Sequence, residues 1–161
     1  MHEELREALN KQLNQELRNA YLYLVMASYF DAHSLSGFAH YFKVQAKEEL
    51  GHAMKIYEYL VDRNVPLEFY EIPPPSKKWN SVVDVVRDFY EAEKANTQRI
   101  WGLVDLAKKH NDKSVENFLQ WFINEQLEEE KQASDLLAKM ELVGENPVAI
   151  LLLDKLLAER K

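Results

Sequence analysis

The sequence predicts an all-α protein in which four long helices form a bundle of two antiparallel hairpins, followed by a short fifth helix. Good helix formers dominate a composition that contains only four Gly and five Pro. Apolar residues recur every three or four positions in four long segments, which is the period of a helix with one buried face. The connections between these segments differ greatly in length, and this difference determines how the helices are joined.

The helical spacing predicts the bounds of five helices. They are α1 at about 3–32, α2 at about 36–63, α3 at about 81–110, α4 at about 112–143 and α5 at about 147–159. A chain of 161 residues is long enough to bury a core of its own. We therefore expect residues 1–161 to form a single domain.

Residues typical of helix ends occur close to the predicted bounds. Ser36 is expected to cap α2, and Ser81 with Asp84 three positions later resembles a capping box for α3. Gly144 is typical of a residue that follows a helix, and Pro147 is typical of the first turn of α5.

The connections predict two hairpins joined by one long crossover. A few residues join α1 to α2 and α3 to α4, so the members of each pair should run antiparallel. About seventeen residues that include Pro66 and Pro73–Pro75 join α2 to α3. Fully extended, they reach roughly 55 Å, whereas a helix of 28 residues is roughly 42 Å long. The crossover can therefore run the length of the bundle.

Polar side chains interrupt the apolar face of each long helix near its middle. These residues are Glu16 in α1, Glu49 and His52 in α2, Glu93 in α3, and Gln126 and Glu129 in α4. Glu49 follows Glu16 by 33 residues, and Gln126 follows Glu93 by the same number. The two hairpins should therefore present their polar side chains at one level of the core.

Several buried carboxylates at one level are costly unless positive charge lies between them. No Lys or Arg lies on the apolar faces near these positions, and the chain has no Cys. A pair of metal ions held by oxygen and imidazole ligands would resolve the cost, and such ligands suit iron or manganese. The alternative is a hydrogen-bonded polar network in the core without a metal.

Three stretches in α1, α2 and α4 resemble the non-haem ferritins of bacteria and archaea. They are residues 20–24 (AYLYL), residues 48–54 (EELGHAM) and residues 118–130 (FLQWFINEQLEEE). The resemblance extends from α1 to α5. It implies a ferritin-like fold, oxidation of Fe(II) by dioxygen or peroxide, and iron storage in a shell of twenty-four subunits. The resemblance leaves open whether that shell is closed or has wide pores.

The resemblance also assigns roles to individual residues. It implies a first iron held by Glu16, Glu49 and His52, and a second iron held by Glu93, Glu129 and the bridging Glu49, with Gln126 close by. It implies a third, weaker iron site at Glu48, Glu125 and Glu128. Tyr23 matches a tyrosine that can supply an electron during oxidation; the alternative is a core tyrosine that bonds a neighbouring carboxylate.

Two departures from haem-containing bacterioferritin lead us to expect no haem. Leu50 stands where bacterioferritin has the Met that follows its bridging Glu, and Gln126 with Glu129 replaces a second Glu-x-x-His. A second function remains open on the same fold. The chain could be a di-iron or di-manganese oxidase or catalase that stores no mineral.

Charge and hydropathy limit the expected partners. The formal charge of −7 repels nucleic acid and anionic membranes and attracts cations. The longest aliphatic run, Val148–Leu153, is too short to cross a bilayer, and the acidic start lacks the features of a secretory signal. We therefore expect a cytoplasmic protein that binds neither nucleic acid nor membrane. Because α5 is apolar nearly all round, we also expect a homo-oligomer.

Overall fold

The computed structural model describes residues 1–76 and 78–161, and this part of the chain forms five α-helices. Their bounds are Glu3–Ala32 (α1), Ser36–Asp62 (α2), Val82–Lys109 (α3), Lys113–Val143 (α4) and Pro147–Leu157 (α5). The predicted fold class, a four-helix bundle with a short fifth helix, is confirmed. Each helix end lies within about two residues of its predicted position, which is the usual spread of helix bounds.

The helices pair as two hairpins. α1 packs along α2, α3 packs along α4, and α1 also contacts α3. The tight turns within the hairpins contain Ser34 and Asn111, with φ values of 59° and 53°. Asn64, with a φ of 55°, starts the crossover. Asn tolerates this left-handed conformation better than most residues do.

Two buried asparagines of α1 hold the crossover along the bundle. The Asn10 side chain donates to the carbonyl oxygen of Pro66 at 3.1 Å and accepts from the backbone N–H of Glu68 at 2.8 Å. One turn later, Asn14 donates to the carbonyl oxygen of Glu68 at 2.8 Å and accepts from the N–H of Tyr70 at 3.0 Å. The two amides thus replace the hydrogen bonds that an extended segment lacks.

The apolar core is divided into two clusters. One contains Leu5, Leu9, Leu13, Ile56, Leu60, Ile100, Val115, Leu119 and Phe122 among others. The other contains Tyr23, Met26, Phe30, Phe38, Phe42, Phe89, Leu136 and Met140 among others. The polar residues predicted from the sequence lie along the helices between these two clusters.

The predicted capping by Ser36 is wrong. Ser36 is the first residue of α2, and the capping position is Leu35, whose side chain cannot accept a hydrogen bond. A carboxylate from α5 does this instead, because Asp154 Oδ1 accepts from the N–H of Phe38 at 2.8 Å. For α3, one of the two bonds of the predicted capping box is present, since Ser81 Oγ accepts from the N–H of Asp84 at 3.3 Å. The Asp84 carboxylate accepts from Arg87 at 3.1 Å.

α5 docks on the start of α2 but leaves much of its surface apolar. Leu153 is buried, whereas the side chains of Val148, Leu151, Leu152 and Leu156 are exposed. Among the residues described, no helix is both long and apolar enough to cross a membrane.

Candidate metal centre

The six predicted ligand residues meet between the two core clusters, and all are buried. Ligand atoms of Glu16, Glu49 and His52 lie within 4.8 Å of one another, and so do those of Glu49, Glu93 and Glu129. Glu49 is common to both groups. Two clusters that share one carboxylate are the arrangement that a bridged pair of metal ions requires.

Helical spacing explains how these side chains come together. Glu49 and His52 are three residues apart in α2, and Gln126 and Glu129 are three residues apart in α4. Residues at this spacing project from the same face of a helix. Glu16 and Glu93 face them from α1 and α3, so each helix contributes to one polar layer.

Three buried polar atoms in this layer have no hydrogen-bond partner in the described part of the chain. They are Glu16 Oε2, Glu49 Oε2 and His52 Nδ1. His52 Nδ1 lies 3.8 Å from Glu16 Oε2 and 3.6 Å from Glu49 Oε2. Buried polar atoms are rarely left unsatisfied unless a water or an ion completes them. The three atoms are oxygen and imidazole donors that converge, and they fit one divalent cation.

The protonation of the layer reflects crowding of carboxylates in a buried space. Burial and the charge of Glu16 raise the pKa of Glu49 well above its usual range. Burial also raises the pKa of Glu93 to about 7 and that of Glu129 to about 8. Without a cation, these groups retain protons near neutral pH. Binding of divalent cations would release those protons.

The pKa values of Glu16 and His52 shift against the effect of burial, because the two side chains face each other. Burial favours the protonated form of Glu16, but His52 holds the pKa of this carboxyl below its usual value. Burial favours neutral His52, but its contact with Glu16 raises the imidazole pKa. In the metal-free layer, a protonated His52 therefore balances part of the negative charge of the carboxylates.

Gln126 is tied to α3 and does not point an unpartnered atom at the other ligands. Its Oε1 accepts from Asn96 Nδ2 at 3.1 Å, and its Nε2 donates to Thr97 Oγ1 at 3.1 Å and to Glu93 Oε2 at 3.3 Å. Gln126 therefore lies beside the layer and orients Glu93. Asn96 also donates to Glu16 Oε1 at 3.2 Å, so one amide supports both hairpins.

Sequence reasoning missed the support given by Gln45 and Arg160. Gln45 Nε2 donates to Glu129 Oε2 at 2.5 Å and to Glu49 Oε1 at 3.3 Å. Arg160 donates to Gln45 Oε1 at 2.9 Å, which fixes the amide with its nitrogen towards the carboxylates. Gln45 is a polar residue on the otherwise apolar face of α2, and this position could have indicated that it belongs to the layer. Arg160 follows α5, and no pattern in the sequence connects it with this layer.

Tyr23 contacts the layer directly. Its hydroxyl group donates to Glu93 Oε1 at 2.5 Å, and its ring packs edge-on against Phe89 with centroids 5.3 Å apart. Burial and the charge of Glu93 raise the pKa of Tyr23 well above its usual value. The phenol therefore remains protonated and serves as a fixed donor to Glu93.

The three residues predicted to form a third iron site are less closely grouped. Glu125 Oε2 lies 3.8 Å from His52 Nε2, whereas Glu48 accepts from Arg160 at 3.1 Å and Glu128 is exposed. Burial raises the pKa of Glu125, and the charges of Glu128 and Glu48 add to this increase. The three carboxylates thus interact electrostatically beside the buried layer.

Comparisons with known proteins place these observations in a family. A family model described as "Ferritin-like domain" matches residues 6–143. A bacterial non-heme ferritin of Staphylococcus saprophyticus is 37% identical over 160 residues, covering 99% of this chain and 96% of the relative. One from Staphylococcus aureus is 36% identical over 156 residues, covering 97% of this chain and 94% of the relative. An open pore ferritin of Archaeoglobus fulgidus superposes with a TM-score of 0.98 at 43% identity, over 100% of this chain and 98% of that structure.

Proposed function

The chain belongs to the ferritin family, and from this premise we propose that it oxidises Fe(II) at a di-iron site within each subunit and stores the iron. The observation that carries the proposal is the convergence of the unpartnered Glu16 Oε2, Glu49 Oε2 and His52 Nδ1 in a buried carboxylate layer. A polar network built only for stability would satisfy these atoms within the protein.

In this proposal, Fe(II) is the substrate and the layer holds two ions at a time. Glu16, Glu49 and His52 bind the first ion, and Glu49 bridges to a second ion held by Glu93 and Glu129. These four carboxylates carry four negative charges when ionised, which two Fe(II) ions neutralise. The charge balance explains why the layer lacks Lys and Arg. Gln126 lies beside the second ion.

Two Fe(II) ions supply one electron each to dioxygen or peroxide, and the protein residues prepare the place where this happens. The two apolar clusters on either side limit access of water to the layer. Before oxidation, Tyr23 donates its hydroxyl proton to Glu93 and holds this carboxylate in position. We propose that Tyr23 can also supply a further electron, with its proton passing to Glu93. Gln45 holds Glu49 and Glu129 at a fixed separation through its two hydrogen bonds.

The route of iron after oxidation is also part of the proposal. Glu48, Glu125 and Glu128 form an acidic group beside the layer, and we propose that they bind a third iron weakly. We also propose that residues 1–161 form one ferritin-like domain and that this domain assembles into a homo-oligomeric shell. The exposed aliphatic side chains on α5 support this assembly. The family resemblance gives twenty-four subunits, and the mineral would form inside.

The first test is aerobic loading of metal-free protein with Fe(II), followed by size-exclusion chromatography with iron and protein measured in the same peak. The proposal predicts iron far above about two per chain, the capacity of a di-iron site, in a particle much larger than a dimer. Iron that stops at about two per chain would favour a di-iron or di-manganese oxidase or catalase. No retained iron would refute the metal site itself.

Substitution of the bridging ligand distinguishes the buried site from non-specific binding. Glu49→Gln keeps the shape of the side chain but removes the shared charge, and it should slow Fe(II) oxidation strongly. Glu58→Gln, an exposed position on the same helix, is the matched control and should oxidise Fe(II) as the wild type does. Equal rates for the two variants would count against the assignment.

A further inference from the structure

Two buried amides contact the same oxygen of the Glu16 carboxylate. Gln12 Nε2, one turn earlier in α1, donates to Glu16 Oε1 at 3.0 Å, and Asn96 Nδ2 from α3 donates to this oxygen at 3.2 Å. The other oxygen, Glu16 Oε2, accepts no hydrogen bond from the described residues. The two oxygens of this carboxylate therefore differ in the lone pairs that remain for a metal ion.

The two amides fix each other's orientation. Gln12 Nε2 also donates to Asn96 Oδ1 at 3.0 Å, and Asn96 Nδ2 also donates to Gln126 Oε1 at 3.1 Å. Turning either amide over would place its oxygen beside the Glu16 carboxylate, where a donor is needed. Gln12 and Asn96 are both buried, so the two donors are held in place by the protein rather than by water.

The two donors determine which oxygen of Glu16 an ion can use. A carboxylate oxygen has two lone pairs, so two N–H groups engage both of them on Oε1. An ion could use this oxygen only after at least one of these hydrogen bonds had broken. Glu16 Oε2 lies 3.8 Å from His52 Nδ1 on the side where the ligand atoms converge. The contacts therefore direct an ion to Oε2 alone.

Glu49, which would bridge the two ions, is held differently. Among the described residues, its Oε1 accepts from Gln45 alone, at 3.3 Å, and its Oε2 accepts from none. The same Gln45 nitrogen donates to Glu129 Oε2 at 2.5 Å, so its bond to Glu49 is the longer of the two. Glu49 therefore keeps a lone pair on each oxygen, as a bridging carboxylate requires.

We propose that Gln12 and Asn96 are positioning residues that make Glu16 a one-oxygen ligand through Oε2 and leave the bridging role to Glu49. This inference rests on the proposed di-iron function and adds what determines the geometry around the first ion. A ligand that uses one oxygen leaves a position on the ion for water or the oxidant, which catalytic metal sites keep open. Without the two donors, Glu16 could turn and bind the ion with both oxygens.

The test compares binding of Co²⁺ to metal-free full-length protein with the visible absorption of the bound ion. The double variant Gln12→Met with Asn96→Leu removes both donors and keeps side chains of similar size. It should bind Co²⁺ at least as tightly as the wild type, but with weaker absorption per ion, because Co²⁺ absorbs less as its coordination number rises. Its Fe(II) oxidation should be slower by roughly 10–100-fold, the usual effect of removing a partner of a metal ligand.

The control is Gln98→Met, which removes an exposed amide from α3 and should match the wild type in all three measurements. Gln12→Met alone removes one donor and should change absorption and rate in the same direction as the double variant. It carries the test if thermal unfolding shows that the metal-free double variant is not folded.

Two outcomes would overturn the proposal while leaving the metal site intact. Weaker Co²⁺ binding with an unchanged spectrum would mean that the amides only support the fold. An unchanged rate of Fe(II) oxidation would mean that the open position has no role. A wild type that binds no Co²⁺ would instead refute the metal site of the proposed function, and this inference with it.

Discussion

Removing one buried carboxylate should stabilise the metal-free protein, although it should also impair iron binding. Glu129 is 1% exposed, and burial together with the charge of Glu93 raises its pKa from 4.5 to about 8. A carboxyl group with a raised pKa favours the folded state while it is protonated. Its contribution is present below pH 4.5 and is lost as the pH rises through 8.

The size of the effect follows from the shift. Each unit of pKa difference corresponds to about 1.4 kcal/mol. At pH 7 the unfolded chain releases the Glu129 proton, whereas the folded protein still holds it, and this difference lowers the free energy of unfolding by about 3 kcal/mol. Glu129→Gln removes this cost and can still accept the hydrogen bond from Gln45.

Thermal unfolding of chelator-treated protein, followed by circular dichroism between pH 5 and 8, measures this effect. For a chain of this size, the midpoint temperature of unfolding typically changes by about 2–4 °C for each kcal/mol of stability. Glu129→Gln should therefore unfold about 6–12 °C higher than the wild type at pH 7, and at most about 3 °C higher at pH 5. The control is Glu141→Gln, an exposed position in α4 away from the polar layer, which should not change the pH dependence.

Added metal should reverse the order of stability. Fe(II) under anaerobic conditions should stabilise the wild type more than Glu129→Gln, because a ligand that binds only the folded state adds its binding free energy. The reasoning would be refuted if metal-free Glu129→Gln unfolded below the wild type at pH 7. It would also be refuted if the two proteins showed the same pH dependence.

Three further predictions follow from contacts around the site and α5. Arg160→Gln removes the guanidinium group that orients Gln45. It should slow Fe(II) oxidation about tenfold, which corresponds to ~1.4 kcal/mol, while iron capacity stays the same. Arg160→Lys should recover part of the oxidation rate. Tyr23→Phe leaves a buried carboxylate without its donor, and should destabilise the metal-free protein by about 1–3 kcal/mol in urea titrations and slow oxidation. Gly37→Ala would place a methyl group 1.7 Å from a backbone oxygen of α5, and should release α5 to limited proteolysis and weaken assembly in size-exclusion chromatography. The control is Gly51→Ala, whose added methyl group meets no other atom of the described residues within 4 Å, and it should leave both proteolysis and assembly unchanged.

The fold could be predicted because its determinants are local in the sequence. Helical periodicity, the short turns and the long crossover are each read from neighbouring residues. The polar layer could also be predicted, since interruptions such as Glu16 and Glu49 lie at matching heights on apolar faces. The equal spacing of 33 residues, from Glu16 to Glu49 and from Glu93 to Gln126, predicts that the polar residues of the two hairpins lie at the same height.

The partners of those side chains could not be predicted, because they come from distant parts of the chain. Asp154 caps α2 across 116 residues, and Arg160 orients Gln45 across 115 residues. The prediction that Ser36 caps α2 was wrong because a local rule cannot anticipate a carboxylate supplied by another helix. Such contacts depend on how α5 docks, which is a matter of packing.

The sequence by itself determined that four helices would each carry a polar interruption into one core, because the position of a side chain on a helix depends only on spacing. Only the tertiary structure decided which atoms remain unsatisfied there. Gln126 directs both of its amide atoms to α3, whereas Glu16, Glu49 and His52 each keep one atom that has no hydrogen-bond partner among the described residues. The physical reason is that satisfaction of a buried polar atom depends on distances and angles between helices, which periodicity does not specify.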